Sequence, residues 1–274
     1  IADVITTVSP TYAKEIQTPE FGYGLEGVLR ARSKDLYGIL NGADYTVWNP
    51  EKDKFLPAKY NQKDLTGKHR VREYLVSKLS LSVDHGTPLI GMVSRLVDQK
   101  GLDILIPVFD DIVNLGVGVI VLGLGDKKYH DKLTELAKRY PGKVSVNLAF
   151  DEELAHLIEG GCDMFLMPSK FEPCGLNQFY SMKYGTIPIV RKTGGLADSV
   201  IDHDEPNGTG FVFETYEPQA LLEAVRRAVA VFADRDAWTA LMKRAMTADF
   251  SWERSAREYD RVYRIALQKV QTHV

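Results

Sequence analysis

An arginine and a lysine stand five residues apart in Ser94-Arg95-Leu-Val-Asp-Gln-Lys100-Gly101, directly after the apolar run Pro88–Val93. Such a pair suits a diphosphate, because arginine offers a planar fork for two oxygens and lysine a point charge. On spacing alone, the same two residues also fit a solvated loop. A second stretch, Pro168-Ser-Lys-Phe-Glu172-Pro-Cys174-Gly175-Leu176-Asn177-Gln-Phe-Tyr180, follows another apolar run. It sets a carboxylate in a loop closed by proline, and Gly175 then opens a helix. The amides of Gly175, Leu176 and Asn177 would face the loop mouth and form an anion site. A carboxylate beside an anion site is unfavourable unless it serves a hydroxyl-rich neighbour such as a sugar linked to a phosphate. Glu172 could equally be an acid near the first helical turn. A helix start can lower a thiol pKa, yet no histidine lies near Cys174 to act as its base, so no nucleophile is assigned.

Two further glycine pairs are weaker signals. Arg191-Lys192-Thr193-Gly194-Gly195-Leu196-Ala-Asp198 places a hydroxyl and two cations before glycines that open a helix, a second phosphate-cradle pattern. It lacks the Gly-Lys-Ser/Thr ending of a Walker loop. Gly123-Leu-Gly125-Asp126 resembles the start of a dinucleotide fingerprint, but Lys128 replaces the third glycine, so a tight turn is the better reading. The histidines at 69, 85, 130, 156, 203 and 273 are scattered without metal-ligand spacing, and no metal is expected.

The elements that must position these residues alternate along the chain. Pro88–Val93, Val117–Leu122, Val144–Leu148, Asp163–Met167, Thr186–Val190 and Gly210–Phe213 are short runs rich in Val and Ile. Such runs are expected of strands buried on both faces of a parallel sheet. Helical spacing appears at Leu102–Leu115, Tyr129–Tyr140, Glu152–Glu159, Leu176–Tyr184 and Leu196–Ile201. This alternation predicts a doubly wound α/β sheet, in which ligands bind beyond the carboxyl ends of the strands. On the flanks, Ile1–Val8 and Leu36–Leu40 read as strands, Ser9-Pro10 as a helix start, and residues 66–80 as a basic amphipathic helix. Helices are also predicted over Pro218–Ala233, Ala237–Ala248 and Trp252–Val270.

With 34 Lys+Arg against 37 Asp+Glu, the net charge is −3, which argues against a general nucleic-acid binder. Two cysteines, Cys162 and Cys174, are too few to staple a secreted protein of 274 residues, so a reducing compartment is expected. No apolar run approaches the roughly 20 residues needed to span a bilayer, and no signal-peptide pattern is visible. The chain begins at Ile1 rather than Met, which suggests a partial sequence.

Taken together, Arg95-x4-Lys100, Phe171-Glu-Pro-Cys-Gly-Leu-Asn-Gln178, Lys183-Tyr-Gly185 and Arg191-Lys-Thr-Gly-Gly-Leu-Ala-Asp198 resemble the bacterial glycogen synthases and plant starch synthases. Thr7-Val-Ser-Pro-Thr-Tyr12, Gly38-Ile-Leu-Asn-Gly42 and Trp48-Asn-Pro50 extend the resemblance over nearly the whole chain. It implies a GT-B fold, an α/β architecture of two Rossmann-like domains facing across a cleft. Residues 1–40 would be the end of the N-terminal, acceptor-binding domain, and residues 41–250 the one complete, nucleotide-sugar-binding domain. Residues 251–274 would be a helix crossing back, and the rest of the N-terminal domain would be a missing partner.

The implied reaction is transfer of glucose from ADP-glucose to the non-reducing end of an α-1,4-glucan, with retention and without metal or other cofactor. Arg95 and Lys100 would hold the diphosphate and stabilise leaving ADP, and Glu172 would bind hydroxyls of the donor glucose. Cys174, Gly175, Leu176 and Asn177 would line the sugar and phosphate pocket, with Thr193, Gly194 and Gly195 nearby. Ala149 and Phe150 would face adenine, and Tyr180 would lie near the ribose, where the wider pattern has a second glutamate. Asn177 stands where threonine is expected. Cytoplasm is the implied location for a bacterial protein, and the plastid for a plant-type one; neither nucleic acid nor membrane is an expected partner. The rival readings are a module that binds ADP or ADP-glucose without catalysis, and a dehydrogenase, which the broken glycine fingerprint disfavours.

Overall fold

The computed structural model describes residues 2–272. Ile1, where the first predicted strand begins, and His273 lie outside the described residues. In chain order the elements are β1 (Ile5–Thr7), α1 (Pro10–Glu15), α2 (Glu26–Ala31), β2 (Leu36–Gly38), α3 (Thr66–Lys78), β3 (Leu89–Val93), α4 (Leu102–Leu105), α5 (Phe109–Asn114), β4 (Gly118–Leu122), α6 (Lys127–Arg139), β5 (Val144–Asn147) and α7 (Glu152–Gly161). They continue with β6 (Met164–Met167), α8 (Asn177–Lys183), β7 (Ile187–Arg191), α9 (Gly194–Ser199), β8 (Phe211–Phe213), α10 (Pro218–Ala233), α11 (Arg235–Thr247) and α12 (Trp252–Thr272).

Six strands form one parallel sheet in the order β5-β4-β3-β6-β7-β8. Helices cover both faces, so strand residues such as Ile90, Ile120, Phe165 and Ile189 are buried whichever way they point. Burying each such side chain stabilises the fold by about 1.5–3 kcal/mol. Close packing of α7 on β3 depends on Gly91, where a Cβ would lie 2.5 Å from Ile158 Cγ2. From β3 the chain winds outward through β4 to β5, and from β6 it winds the other way to β8. The neighbours β3 and β6 therefore flank the switch point, where their loops diverge and leave a crevice.

The predicted helix over Leu102–Leu115 is interrupted. Pro107 has no N–H to donate, and a 3₁₀ turn, Ile106–Val108, separates α4 from α5. The helix predicted over 66–80 is present, and its basic residues are divided: His69, Arg70 and Lys78 face solvent, whereas Lys68 and Arg72 are buried on its packed face.

β1 and β2 form a separate parallel pair. α1 and α9 join this small unit to the main sheet by exchanging caps. Thr11 donates from its N–H and hydroxyl to Asp198 of α9, at 2.8 and 2.7 Å. Thr193 Oγ1 and the Gly194 N–H donate to Glu15 of α1, at 2.9 and 3.0 Å.

Candidate active site

The loops leaving β3 and β6 meet over the switch point around a cavity of about 210 Å³. Its lining includes Ser94, Arg95 and Lys100 from the first loop and Ser169, Glu172, Gly175, Leu176 and Asn177 from the second. Residues 72 and more positions apart in sequence thus share one wall. Lys100 Nζ lies 2.6 Å from Glu172 Oε2, and the Ser169 hydroxyl donates to the same oxygen at 2.9 Å. Glu172 is buried, so its charge requires these partners. Its other oxygen, Oε1, has no protein partner among the described residues and is available to accept from a hydroxyl group.

Arg95 is exposed, and its guanidinium makes one side-chain hydrogen bond, Nη2 to Gln99 Oε1 at 3.0 Å. Gln99 in turn donates from Nε2 to the Phe171 carbonyl at 3.2 Å, tying the two loops together. Most of the guanidinium donors therefore remain available to an anion. Gly175 adopts φ +69°, a conformation that suits glycine, and it turns the chain into α8. The amides of Gly175, Leu176 and Asn177 donate to no protein acceptor among the described residues. The Asn177 side chain donates from Nδ2 to the Val93 carbonyl at 2.8 Å, which pins the start of α8 to the carboxyl end of β3.

An apolar slot of about 380 Å³ opens beside this cavity and shares Val93, Ser94, Arg95 and Asn177 with it. Leu122, Gly123 and Leu124 line one part, and Ala149, Phe150 and Ala155 another. Phe150 is 94% exposed at the slot, open to stacking by a flat ring. One contiguous site thus joins a carboxylate–lysine pair, an arginine, free amides and an apolar slot.

Residues 78–240 match the family Glycosyl transferases group 1, and residues 1–31 match the Starch synthase catalytic domain. The chain belongs to the group 1 glycosyl transferases. It is 52% identical over 271 residues to a glycogen synthase of Thermosipho africanus, which covers 98% of this chain and 56% of that protein. A glycogen synthase of Anaeromyxobacter dehalogenans is 51% identical, over 96% of this chain and 55% of the relative. The chain therefore spans about half the length of these curated relatives. Among solved structures, the catalytic domain of starch synthase IV from Arabidopsis thaliana, bound to ADP and acarbose, superimposes with a TM-score of 0.92 at 39% identity. That match covers 97% of this chain and 56% of the other. The fold is accordingly that of the GT-B glycosyltransferases.

In this group 1 glycosyl transferase, several predicted site residues have other partners. The second phosphate cradle is a correction: Thr193 and Gly194 hold the carboxylate of Glu15, so the protein supplies its own anion there. Gly194 and Gly195 serve close packing, since a Cβ on either would lie about 2 Å from the carbonyls of Glu172 and Cys174. Gly195 N–H donates to the Glu172 carbonyl at 3.0 Å and so braces the loop from behind. Arg191 donates from Nη1 to the Lys170 carbonyl at 2.5 Å, and Lys192 pairs with Glu214 at 2.6 Å.

Cys174 is buried next to the Asn41 N–H; burial pushes its thiol pKa up to about 11, and it stays protonated near neutrality. Tyr180 lines neither cavity, because it is stacked behind Trp48 with ring centroids 4.1 Å apart. The Gly123–Gly125 segment corrects the tight-turn expectation: it continues β4 in extended form beside Ser94–Leu96. Leu96 N–H donates to the Leu124 carbonyl and Asp126 N–H to the Leu96 carbonyl, both at 2.8 Å, while Gly125 N–H donates to His130 Nε2 at 2.9 Å and Lys128 pairs with Asp98 at 2.5 Å. Sequence reasoning assigned no role to Ser169, Gln99 or Trp48. Ser169 and Gln99 lie within a few residues of the predicted cations and Glu172, a signal that proximity alone carried.

Proposed function

We propose that this chain is the donor-binding half of a glycogen (starch) synthase. It would transfer glucose from ADP-glucose to the non-reducing end of an α-1,4-glucan with retention at the anomeric carbon. The observation that carries this reading is the Lys100–Glu172–Ser169 cluster facing Arg95 across the switch-point cavity. Support comes from the 39% identity to a starch synthase whose structure holds ADP and acarbose, and from the glycogen synthase relatives.

In this reading the diphosphate lies between Arg95 and the free amides at residues 175–177, and the adenine enters the slot beside Ala149 and Phe150. Glu172 Oε1 accepts from a hydroxyl of the donor glucose. As the bond between the anomeric carbon and the diphosphate oxygen breaks, negative charge grows on ADP. Arg95 and Lys100 stabilise that charge more than they stabilise the intact donor, which lowers the barrier. The acceptor hydroxyl attacks the same face, and its proton passes to the departing phosphate oxygen. The proposed chemistry draws on no metal or other cofactor, because these two cations meet the developing charge.

We assign residues 1–40 to the end of the acceptor domain, 41–250 to the donor domain and 251–274, which include α12, to the segment returning to the acceptor domain, with the rest of that domain as the partner. No helix among the described residues is long and apolar enough to cross a membrane; the bacterial cytoplasm, or the plastid for a plant-type protein, is the location that goes with the proposed reaction. Calorimetric titration with ADP and with NAD tests the site. ADP is expected to bind and NAD not; a folded chain that ignores ADP would overturn the reading. Incorporation of ADP-[14C]glucose into glucan then tests the transfer itself.

A further inference from the structure

Trp48 belongs to no helix or strand, yet its indole is held on both faces. His156 stacks on it with ring centroids 3.7 Å apart and planes 7° apart, and Tyr180 stacks at 4.1 Å and 5°. Two rings so close to one indole centre must lie on opposite faces, as they would collide on the same one.

The stack is anchored in the core. His156 Nδ1 lies 2.6 Å from Asp53 Oδ2, and the Tyr184 hydroxyl donates to the same oxygen at 2.5 Å. The other Asp53 oxygen accepts from the Phe55 N–H at 2.9 Å. Asp53, His156 and Tyr184 are all buried, so the imidazole cannot swing away without breaking a hydrogen bond to a buried carboxylate, and the indole is held by stacking between that fixed imidazole and Tyr180.

Tyr184 packs against one part of the indole edge, with centroids 6.3 Å apart, and the rest of the edge is left to meet a ligand. Trp48 lines the apolar slot together with Ala149, Ala155 and Asn177. Its N–H has no acceptor among the described residues and is not sealed in the interior. A side chain fixed this firmly at a slot wide enough for a base, with its N–H unpartnered among the described residues, has the character of a preorganised recognition element.

We propose that Trp48 is a nucleoside-recognition residue of the donor site, and that Asp53 and His156 are positioning residues that hold it. The ligand part it meets is the ribose and the near edge of the base, the place expected of Tyr180, which lies behind it. This rests on the donor-site reading above.

The test is calorimetry on the full chain with two probes, ADP and inorganic pyrophosphate. Trp48→Phe keeps an aromatic ring in the stack but removes the N–H and the outer edge. ADP affinity is expected to fall roughly fivefold, the loss of one hydrogen bond, with pyrophosphate affinity unchanged. Asp53→Asn is expected to move ADP in the same direction by less. Equal ADP affinity for Trp48→Phe and the parent chain overturns the proposal, and so does an equal loss for both probes, which would mark a general distortion.

If Trp48→Phe does not fold, the parent chain labelled with fluorotryptophan decides by 19F NMR, with resonances assigned through Trp238→Phe and Trp252→Phe. The Trp48 signal is expected to shift with ADP and not with pyrophosphate; an unmoved signal under saturating ADP overturns the proposal alone. A parent chain that binds no ADP overturns the donor-site reading and this inference together.

Discussion

Lys68 and Arg72 stand four residues apart on α3; Arg95 and Lys100 stand five apart after β3. The first pair lies toward the amino ends of the strands and is buried. Lys68 Nζ donates to the carbonyls of Gly160 and Tyr184 at 3.0 and 3.1 Å and to Thr186 Oγ1 at 2.7 Å. Arg72 pairs with Asp163 at 2.6 Å and donates to the carbonyls of Asp84 and Thr87. All three ammonium protons of Lys68 are thus spoken for, and Arg72 is held by three acceptors. The second pair lies at the carboxyl ends, where Arg95 bonds one glutamine and Lys100 one carboxylate. A cation saturated by the protein's own acceptors organises the fold, while one left with free donors can hold an anion that arrives. Residue type and spacing are nearly the same in both pairs, so the number of internal acceptors decides which job each does.

The comparison breaks if the two pairs respond alike to substitution. The largest effect is expected from Arg72→Ala, which leaves Asp163 without its ionic partner: about 3–5 kcal/mol of stability should be lost in urea unfolding. Arg95→Ala should instead leave the unfolding midpoint almost unmoved and cost about 1.5–3 kcal/mol of ADP binding by calorimetry, roughly tenfold or more. A large stability loss in that variant would place Arg95 with the structural pair.

Glu172→Ala sharpens the division within the site. ADP-glucose affinity should fall by about tenfold, while ADP binds at least as well because Lys100 is released toward the diphosphate. Equal losses for both ligands would remove the sugar role from Glu172.

The smallest effect is a pH dependence. Burial holds the Lys68 ammonium down to about 8 from an ordinary 10.5. Between those values the unfolded chain keeps a proton that the folded chain has released, so this term adds stability as pH rises through the window. It is lost again as pH falls toward 8. Relative to Lys68→Met, the parent chain should gain on the order of 1 kcal/mol between pH 8 and 9. A difference between the two chains that stays flat over that range would contradict the assignment.

Much of the fold was legible because it depends on local patterns. Val- and Ile-rich runs four to six residues long, separated by helical spacing, imply strands buried on both faces and hence a parallel sheet. Once the sheet is parallel, the loops after Val93 and Met167 become the natural site, and Arg95, Lys100 and Glu172 do share one cavity there. Pro107 is visible in the sequence too, but apolar spacing continues on both sides of it and masks the break between α4 and α5.

What the chain order alone could not reveal were choices made between distant segments. Thr193-Gly194 reads as a phosphate cradle until α1 brings Glu15 into it from 178 positions away. Residues 66–80 read as a basic amphipathic helix, and only the fold shows that Lys68 and Arg72 lie under carbonyls from the ends of α7 and α8 and from the Asp84–Thr87 turn. Trp48 reads as part of a loop until His156 and Tyr180 clamp it at the slot. Sequence determines the period of burial and the chemistry available at each position. Which donors and acceptors are already satisfied is a property of three-dimensional neighbours, and only the tertiary structure supplies them.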